Sequence, residues 1–385
     1  MIKQVKLENY IKIISGFAFK SNLFTTDSSF TPLIRIRDIK RGFSETFYSG
    51  DFNKNYLVYE GDMLIGMDGE FNVENWKGIP SLLNQRVCKL EISDSNLLDK
   101  QYLFYIINGK LKEIEDKTSF VTVKHLSLKD INRIEIPLPP LSTQKAIAEK
   151  LDKADALRKK DKELLAQYDE LAQAIFIDMF GDPVKNEKGW KIDFLKNMTL
   201  KIGSGSTPKG GKENYKSEGI SLIRSMNVYD RQFLYRDLAY IDENQAEKLK
   251  NVIVESGDIL FNITGASVCR SSIVPDNVLP ARVNQHVSLI RPKLEYLNNH
   301  YLSNLLISDN VKQQLLKIGS GGGAVMEAIT KEQLENYKII IPPLNLQIQF
   351  AEKIQNIEAQ KALLKQQAQQ SEDLFQALLQ ESFNF

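Results

Sequence analysis

An internal repeat runs through the 385 residues of this chain and limits the folds open to it. Short matches recur in the same order in both halves, at a separation that grows from 189 to 203 residues. The matched segments are Ser15–Lys20 with Ser204–Lys209, Leu33–Arg35 with Leu222–Arg224, Gly61–Leu64 with Gly257–Leu260, Asn84–Val87 with Asn284–Val287, and Pro139–Leu141 with Pro342–Leu344. Loop insertions in a second copy produce such a drift. We infer a tandem duplication of roughly 190 to 200 residues.

Each copy combines a region of short apolar runs, a Pro-Pro pair and a long helix-forming stretch. The runs are rich in Ile, Val and Leu and are interrupted by Gly, Asn and Asp, which is typical of short strands. The predicted strands are Pro32 to Ile36, Asp62 to Ile65, Arg86 to Ile92, Ile220 to Ile223, Asp258 to Ile263 and Val287 to Ile290. We therefore expect an α+β domain in each copy.

Two long helices are predicted after the Pro-Pro pairs. Ser142 is the predicted N-cap of the first, which contains no Gly or Pro before Phe180. Apolar spacings of three and four predict a coiled-coil seam, which the second helix repeats less regularly. The predicted seam consists of Leu157, Leu164, Tyr168, Leu171 and Ile175 with Ile357, Leu364, Leu374 and Leu378. We expect an antiparallel coiled coil.

The charge and length of these helices favour a spacer or partner-binding role. Residues 142–180 carry seven Lys or Arg against eight Asp or Glu, and residues 346–385 carry three against five. Neither is therefore a basic helix of the kind that enters a DNA groove. A helix of about 39 residues is on the order of 58 Å long, which exceeds one turn of DNA at about 34 Å.

Composition predicts an ordinary globular protein of the cytoplasm. Hydrophobic residues make up 42% and charged residues 26%, and no run approaches the roughly 18 apolar residues of a membrane helix. The first residues carry Lys, Glu and Asn where a signal peptide would be apolar. The two cysteines and three histidines show no metal-ligand spacing, so no metal site is expected.

Motifs that invite a catalytic interpretation fail in detail. The Gly-rich stretch Gly203–Lys212 is followed by Glu213, where a Walker loop needs Ser or Thr. A flexible loop and a phosphate-approaching loop with Lys209 both remain open for it. The Pro-Pro pairs are flanked by Leu or Ile rather than by the polar and aromatic residues of an adenine methyltransferase, and no nuclease motif follows Pro275. We expect no catalysis by this chain.

The doubled order of these motifs resembles the specificity (S) subunits of type I restriction-modification systems. The motifs are a Gly-Ser-rich entry, Gly-Asp-x-Leu, Asn-Gln-x-Val, Pro-Pro-Leu-x-x-Gln and a long helix, and the junction Met179–Trp190 is also similar to that family. The resemblance implies a first target recognition domain over 1–140, a spacer helix over 141–181, a second domain over 182–342 and a second helix over 343–385.

The resemblance further implies a non-catalytic subunit of a prokaryotic cytoplasmic complex. Each domain would read one part of an interrupted, asymmetric sequence of double-stranded DNA. The helices would set the gap and bind two methyltransferase (M) subunits that carry S-adenosylmethionine. Restriction (R) subunits would add translocation and cleavage with ATP and Mg. No cofactor is expected in this chain itself.

Basic residues of both copies are the candidate DNA contacts. Arg35 and Arg224 are predicted to bind guanine or phosphate, and a structural salt bridge with Asp38 or its neighbours is the alternative. The remaining candidates are Lys20, Lys40, Arg41, Arg86, Lys209, Lys212, Lys216, Arg231, Arg236, Arg270 and Arg282. The two Asn-Gln pairs are interpreted as fold determinants. The alternative function is a duplicated structural or partner-binding protein without DNA specificity.

Overall fold

The computed structural model describes residues 3–117, 124–208, 210–320 and 328–383, and the chain forms two compact units. Unit 1 comprises residues 1–162 and 367–385, and unit 2 comprises residues 163–366. Each unit contains sheets, short helices and one half of each long helix. The predicted α+β class is confirmed.

Unit 1 holds the first set of strands and helices. Its strands are β1 (Gln4–Lys6), β2 (Ile11–Ser15), β3 (Phe24–Thr25), β4 (Thr31–Ile34), β5 (Phe47–Tyr48), β6 (Leu57–Val58), β7 (Met63–Gly66), β8 (Val73–Asn75), β9 (Ser81–Leu83), β10 (Val87–Ile92) and β11 (Glu135–Pro137). Its helices are α1 (Ile36–Arg41), α2 (Lys100–Lys117), α3 (Leu128–Asn132) and the start of α4 (Leu141–Phe180). The end of the second long helix, α9 (Leu344–Phe383), completes it.

Unit 2 repeats this plan. Its strands are β12 (Lys191–Phe194), β13 (Thr199–Ser204), β14 (Ile220–Ile223), β15 (Val228–Tyr229), β16 (Gln232–Phe233), β17 (Ala239–Ile241), β18 (Ile253–Val254), β19 (Ile259–Asn262), β20 (Ser271–Ile273), β21 (Ala281–Val283), β22 (Val287–Pro292) and β23 (Lys338–Ile341). Its helices are α5 (Glu243–Glu247), α6 (Asn299–Ile307), α7 (Asp309–Gly319) and α8 (Lys331–Glu335), with the end of α4 and the start of α9.

The two units share one sheet topology. A four-stranded antiparallel sheet has the order β2-β10-β7-β8 in unit 1 and β13-β22-β19-β20 in unit 2. A second sheet contains a parallel pair, β4 with β9 and β14 with β21. A two-stranded sheet, β1-β11 or β12-β23, joins the first strand of each unit to the strand before its long helix. The equivalent strands are those that the sequence offsets pair.

The inner strands β7 and β19 of the four-stranded sheet are buried on both faces, which explains their apolar sequences. In β7, Met63 and Ile65 belong to the core with α2, while Leu64 belongs to the core with the second sheet. In β19, Ile259 and Leu260 divide in the same way between two cores. Alternate side chains of a strand point to opposite faces, so each domain is layered as helix, sheet and sheet.

The predicted strands coincide with observed strands to within about two residues, with one wrong end. The predicted strand from Pro32 should stop at Ile34, because Ile36 begins α1. The carboxylate of Asp38 accepts the backbone N–H of Arg35 at 2.9 Å, and this capping contact at the first turn starts the helix.

A buried glutamine explains the repeated Pro-Pro-Leu-x-x-Gln motif. Gln144 is fully buried; its side chain accepts the N–H of Asp99 at 2.8 Å and donates to the carbonyls of Leu97 at 2.9 Å and Pro139 at 2.8 Å. In unit 2, Gln347 makes the equivalent three hydrogen bonds at 2.8, 3.1 and 2.8 Å. This glutamine clamp joins the start of each long helix to the loop before α2 or α6.

Ser142 is not the N-cap of α4, contrary to the prediction. The helix begins at Leu141, so Ser142 lies inside it. The carbonyl of Pro140 accepts the N–H groups of Thr143 at 2.9 Å and Gln144 at 3.1 Å. Proline is tolerated at this place because an N–H here would have no partner within the helix.

The two long helices pair antiparallel within each unit, as predicted. In unit 1, Lys150 contacts Glu381 at 3.2 Å and Arg158 contacts Glu372 at 3.2 Å. The residue numbers of the partners therefore increase along α4 and decrease along α9. In unit 2, Lys361 lies 2.7 Å from Asp169.

The seam between the helices needs correction. Leu157, Leu171 and Leu374 are exposed by 41%, 46% and 47%, while Ile357 and Leu364 are buried. Leu164 is half-buried, and Tyr168, Ile175 and Leu378 are half-buried against the cores of their own units. The buried stripe instead includes Leu151, Ala154, Ala172, Phe176, Ile354 and Phe375. A heptad pattern assumes that each helix is covered only by its partner helix. Here the domain also packs on the helix pair, so further positions are buried.

No described helix of this chain is both long enough and apolar enough to span a membrane.

Candidate nucleic-acid interface

The parallel strand pair of unit 1 ends in a cleft lined by arginines. Arg35 follows β4 and Asn84 follows β9, and the carboxyl ends of parallel strands meet at one edge. The residues that line this cleft are Arg35, Ile36, Arg37, Asn84, Gln85 and Arg86, and we call it the Arg cleft. Its volume is about 320 Å³. Three guanidinium groups and no carboxylate line it among the described residues.

A glycine loop fixes one wall of the Arg cleft. A β-carbon on Gly16 would lie 1.9 Å from the carbonyl oxygen of Asn84, so only glycine fits there. The next residue, Phe17, donates its N–H to Leu83 and accepts the N–H of Gln85, at 2.9 and 2.8 Å. Phe17 itself is 47% exposed, and its ring lies 5.1 Å from the rings of Phe19 and Tyr56.

Arg86 is held at the mouth of the cleft by a carboxylate. Its φ of 73° lies in the left-handed region. Its Nε lies 3.6 Å from Asp68 Oδ2, and Asp68 Oδ1 lies 2.6 Å from His125 Nδ1. A proton on Nδ1 that is donated to Asp68 leaves no lone pair there for Arg86 Nη1, 3.4 Å away. The terminal nitrogens of Arg86 are thus available, and its side chain is 56% exposed.

The other two arginines of the cleft are also open. Arg35 has no side-chain hydrogen bond or ion pair within the described ranges, so the predicted salt bridge to Asp38 does not form there. Asp38 instead lies 3.6 Å from Arg37 Nε, and the Arg37 side chain is 54% exposed. The cleft therefore presents positive charge to an electron-rich ligand.

The equivalent place in unit 2 has closed side chains and a backbone that differs in detail, since His286, the counterpart of Arg86, does not share its positive φ. A β-carbon on Gly205 would lie 1.9 Å from the Val283 carbonyl oxygen. His286 replaces Arg86, and its Nδ1 lies 2.6 Å from the hydroxyl of Thr264. The backbone N–H of His286 is accepted by Asn284 at 3.0 Å, and Gln285 accepts the hydroxyl of Thr207 at 2.5 Å.

Arg224, the counterpart of Arg35, is engaged within unit 2. It donates to the carbonyl of Asp237 and stacks 5.4 Å above the ring of Tyr215. The Nε of Arg224 is nevertheless buried without a hydrogen-bond partner among the described residues, as is the Oδ1 of Asn84 in unit 1.

Several predicted DNA contacts are held by other protein groups. The ion-paired ones are Lys40 with Glu70, Arg41 with Glu45, Lys216 with Asp242, Arg236 with Asp237, and Arg231 with Asp169 and Glu358. The hydrogen bond from Lys40 lowers the pKa of the Glu70 carboxyl. Arg282 donates to the carbonyls of Ala246 and Ala281, and burial lowers the pKa of its guanidinium.

Arg231, like Arg224 and Arg282, is a candidate that the fold uses internally. The Arg231 side chain is only 10% exposed and lies between carboxylates of α4 and α9. Arg231 therefore stabilises unit 2 rather than facing outward.

The remaining candidates lie on the surface. Lys20 and Lys212 are exposed, and Arg270 stacks 4.2 Å above the ring of Tyr229. Lys209 lies outside the described residues. Sequence reasoning missed Arg37 and Phe17, although both lie within two residues of motif positions that recur in the second copy.

Comparison with known proteins gives a consistent match. The family model described as type I restriction modification DNA specificity domain matches residues 2–167 and again residues 187–372. The EcoBI specificity subunit of a type I restriction enzyme from Escherichia coli is 29% identical, over 99% of this chain and 85% of that protein. The MjaVIII specificity subunit from Methanocaldococcus jannaschii is 26% identical, over 92% and 85%.

Solved structures share the fold. The S subunit of a type I restriction-modification system from M. genitalium has a TM-score of 0.57 at 14% identity, and the match covers 99% of this chain and 96% of that one. A chain from work on complex assembly and conformational transition of the type I R-M system has a TM-score of 0.55 at 18% identity, over 99% and 97%. At these identities the likeness supports the fold alone.

Proposed function

Because this chain belongs to the type I restriction-modification DNA specificity family, we propose that each of its two units reads one part of an interrupted, asymmetric DNA target. The resemblance drawn from the repeated motifs is confirmed by the family and its named relatives. The observation that carries the proposal is the double match of the DNA specificity model, once for each α+β region. Two DNA specificity domains in one chain suit a DNA target with two parts.

The long helices are proposed as the partner-binding elements. α4 and α9 each have 40 residues and carry both signs of charge, which suits protein partners better than a DNA groove. In unit 1, Leu157, Leu374 and Leu378 line an open apolar groove on the helix pair. We propose that this pair binds methyltransferase subunits, two per chain as the internal repeat suggests, and sets the gap between the two half-sites.

We propose that the chain itself is not an enzyme. The polar groups of the Arg cleft are arginine and amide side chains, those of its counterpart include the Thr207 and Thr264 hydroxyls, and the imidazole of His125 is held by Asp68. S-adenosylmethionine is then expected on the methyltransferase subunits, and ATP with Mg on the restriction subunits. In this proposal the catalytic subunits carry out the reactions, and this chain recognises the DNA sequence.

Most of the affinity is expected to come from phosphate contacts of exposed cations. Each neutralised phosphate releases counterions, so log affinity falls with log salt at a slope of about 0.9 per contact. The exposed candidates without a partner in the described part of unit 1 are Lys20 and Arg35. Phosphate contacts fix the register of a protein on DNA, whereas base contacts specify the sequence.

The proposal is tested by mapping DNA methylation in the native host with and without this gene. Loss of one interrupted, two-part methylation motif on deletion, and its return on complementation, is the expected result. If every methylated motif survives deletion in a host that expresses the whole system, the chain does not set specificity. A purified complex that methylates DNA without this chain at the same sites would contradict the proposal equally.

A further inference from the structure

We infer that the Arg cleft of unit 1 reads a G·C base pair in the major groove, with Arg86 as the guanine-reading residue. Asp68 is the positioning residue, because it acts only through Arg86. The inference rests on the proposed function and deepens it, since it assigns one half of the target a chemistry that the other half lacks at the equivalent place.

The geometry of Arg86 suits guanine. Guanine presents two acceptors, O6 and N7, in the major groove, and the terminal nitrogens of a guanidinium match them as a fork. Asp68 lies on the Nε side at 3.6 Å and His125 Nδ1 lies 3.4 Å from Nη1, and the outward N–H groups of Nη1 and Nη2 remain for a ligand on this 56% exposed side chain. His125 holds Asp68 from behind at 2.6 Å. Base readers need such support, because a free arginine would lose side-chain freedom on binding.

The neighbours of Arg86 complete a base-reading surface. Gln85 is exposed, and its side chain has no partner within the described ranges; its amide can accept from the amino group of the paired cytosine. Phe17 is exposed next to it and offers the apolar contact that a neighbouring thymine methyl prefers. Arg35 and Arg37 flank the cleft and can hold the adjacent backbone.

Unit 2 cannot read guanine in this way. Its counterpart of Arg86 is His286, whose ring is bonded to Thr264 at 2.6 Å, and its Arg224 is occupied by the carbonyl of Asp237. The equivalent edge is therefore open in one copy and internally bonded in the other, and the backbone differs as well, since Arg86 has a positive φ and His286 does not. A tandem duplication that reads an asymmetric target needs a difference of this kind.

The experiment replaces the gene in the native host, with the rest of the system intact, by single variants and maps the methylated motif. Arg86→Ala removes the fork, and Arg86→Gly removes it while fitting the φ of 73° without strain. Arg86→Lys keeps the charge but loses the fork. Matched controls are Arg41→Ala, an exposed arginine of the same unit paired with Glu45, and His286→Ala at the equivalent place of unit 2.

The expected result is relaxation at one G·C position in one half of the motif. A bidentate pair discriminates against the wrong base by roughly 5- to 150-fold, so all three Arg86 variants should methylate sites altered at that position about 10-fold or more above the parent. Asp68→Asn should relax the same position more weakly. Arg41→Ala should leave the motif unchanged, and His286→Ala should leave this half unchanged.

Two outcomes overturn the inference. One is an unchanged motif in all Arg86 variants. The other is a uniform loss of methylation with the motif intact, which Arg86→Lys restores, because that marks a phosphate contact. Both differ from failure of the proposed function, in which deletion of the whole gene leaves methylation as it was. Methylation at any form of the motif shows that the variant chain has folded and assembled.

Discussion

Replacement of Gln144 by Leu is expected to destabilise unit 1 by about 3 kcal/mol. Three backbone groups lose their partner: the N–H of Asp99 and the carbonyls of Leu97 and Pro139. Each unpaired buried group costs about 1–3 kcal/mol. Leu has a similar volume and recovers part of the loss through apolar contacts, so we take about 1 kcal/mol for each group.

The assay is thermal unfolding combined with hydrogen exchange of the full chain. For a unit of this size about 1 kcal/mol lowers Tm by roughly 2–4 °C, so the expected shift is roughly 6–12 °C. Faster exchange should appear first at the start of α2 and at the first turn of α4. Gln347→Leu should transfer the same effect to α6 and the first turn of α9, because it makes the equivalent hydrogen bonds in unit 2.

The matched control is Gln167→Leu, the same substitution at an exposed position of α4. It should change Tm by less than about 1 °C. If Gln144→Leu behaves like this control, the clamp does not hold the helix to its domain, and the physical account of the Pro-Pro-Leu-x-x-Gln motif is refuted.

Three further predictions concern ion pairs and the helix seam. Arg231→Met should lower the stability of unit 2 by about 2 kcal/mol in thermal melts, yet leave the salt slope of DNA binding unchanged; a smaller slope would show that it contacts phosphate. Burial raises the pKa of Asp169, but hydrogen bonds from Lys361 and Arg231 outweigh this effect and lower the pKa below 3.8. The ionised Asp169 therefore stabilises the folded protein above about pH 4. This stabilisation is lost as the pH falls through the pKa of Asp169 in the folded state. Urea unfolding from pH 6 to pH 2 should show a flatter acid limb for Asp169→Asn, and identical limbs would contradict this. Asp161 is buried and accepts from Gln367 and Ser371 at 2.7 and 2.6 Å; Asp161→Asn presents a donor to one of them and should cost unit 1 about 1–2 kcal/mol in urea titrations, whereas no change would mean that the amide is accommodated.

The sequence predicts the framework of both units well because the repeat doubles every signal. The strands around Met63 and Ile259 are short apolar runs that a single sequence would leave ambiguous, but both copies place them after Gly-Asp at an offset of 196. The predicted strand end at Ile36 is wrong because the side chain of Asp38, two residues later, caps a short helix. A local hydrogen bond there outweighs the strand propensity of an apolar run.

The helix seam was only partly predictable. A heptad describes two helices that bury one stripe each, but Phe176 and Phe180 pack on Tyr301 of α6 as well as on Phe350 of α9. A third helix widens the buried stripe and turns it away from Leu171. The sequence of the long helix does not reveal which short helix of the same unit will cover it.

Arg86 and Arg231 show why the role of a basic residue is harder to predict than a strand. Both are arginines with positive φ, at 73° and 58°, and both follow apolar strands of mixed domains. Arg231 meets Asp169, which is 62 residues away in the chain, and its side chain keeps 10% exposure. Among the described residues, Arg86 meets one half-buried carboxylate, that of Asp68 at 3.6 Å, and its side chain keeps 56% exposure.

What separates these two arginines is whether the fold brings a second carboxylate to the guanidinium. Arg231 lies between Asp169 of α4 and Glu358 of α9, and a cation paired twice and desolvated has little to gain from DNA. Arg86 has its Nε side held and its outer edge open, so its charge is positioned without being neutralised. In the proposed function, such half-satisfied cations, rather than all basic residues, are therefore the candidates for reading a base.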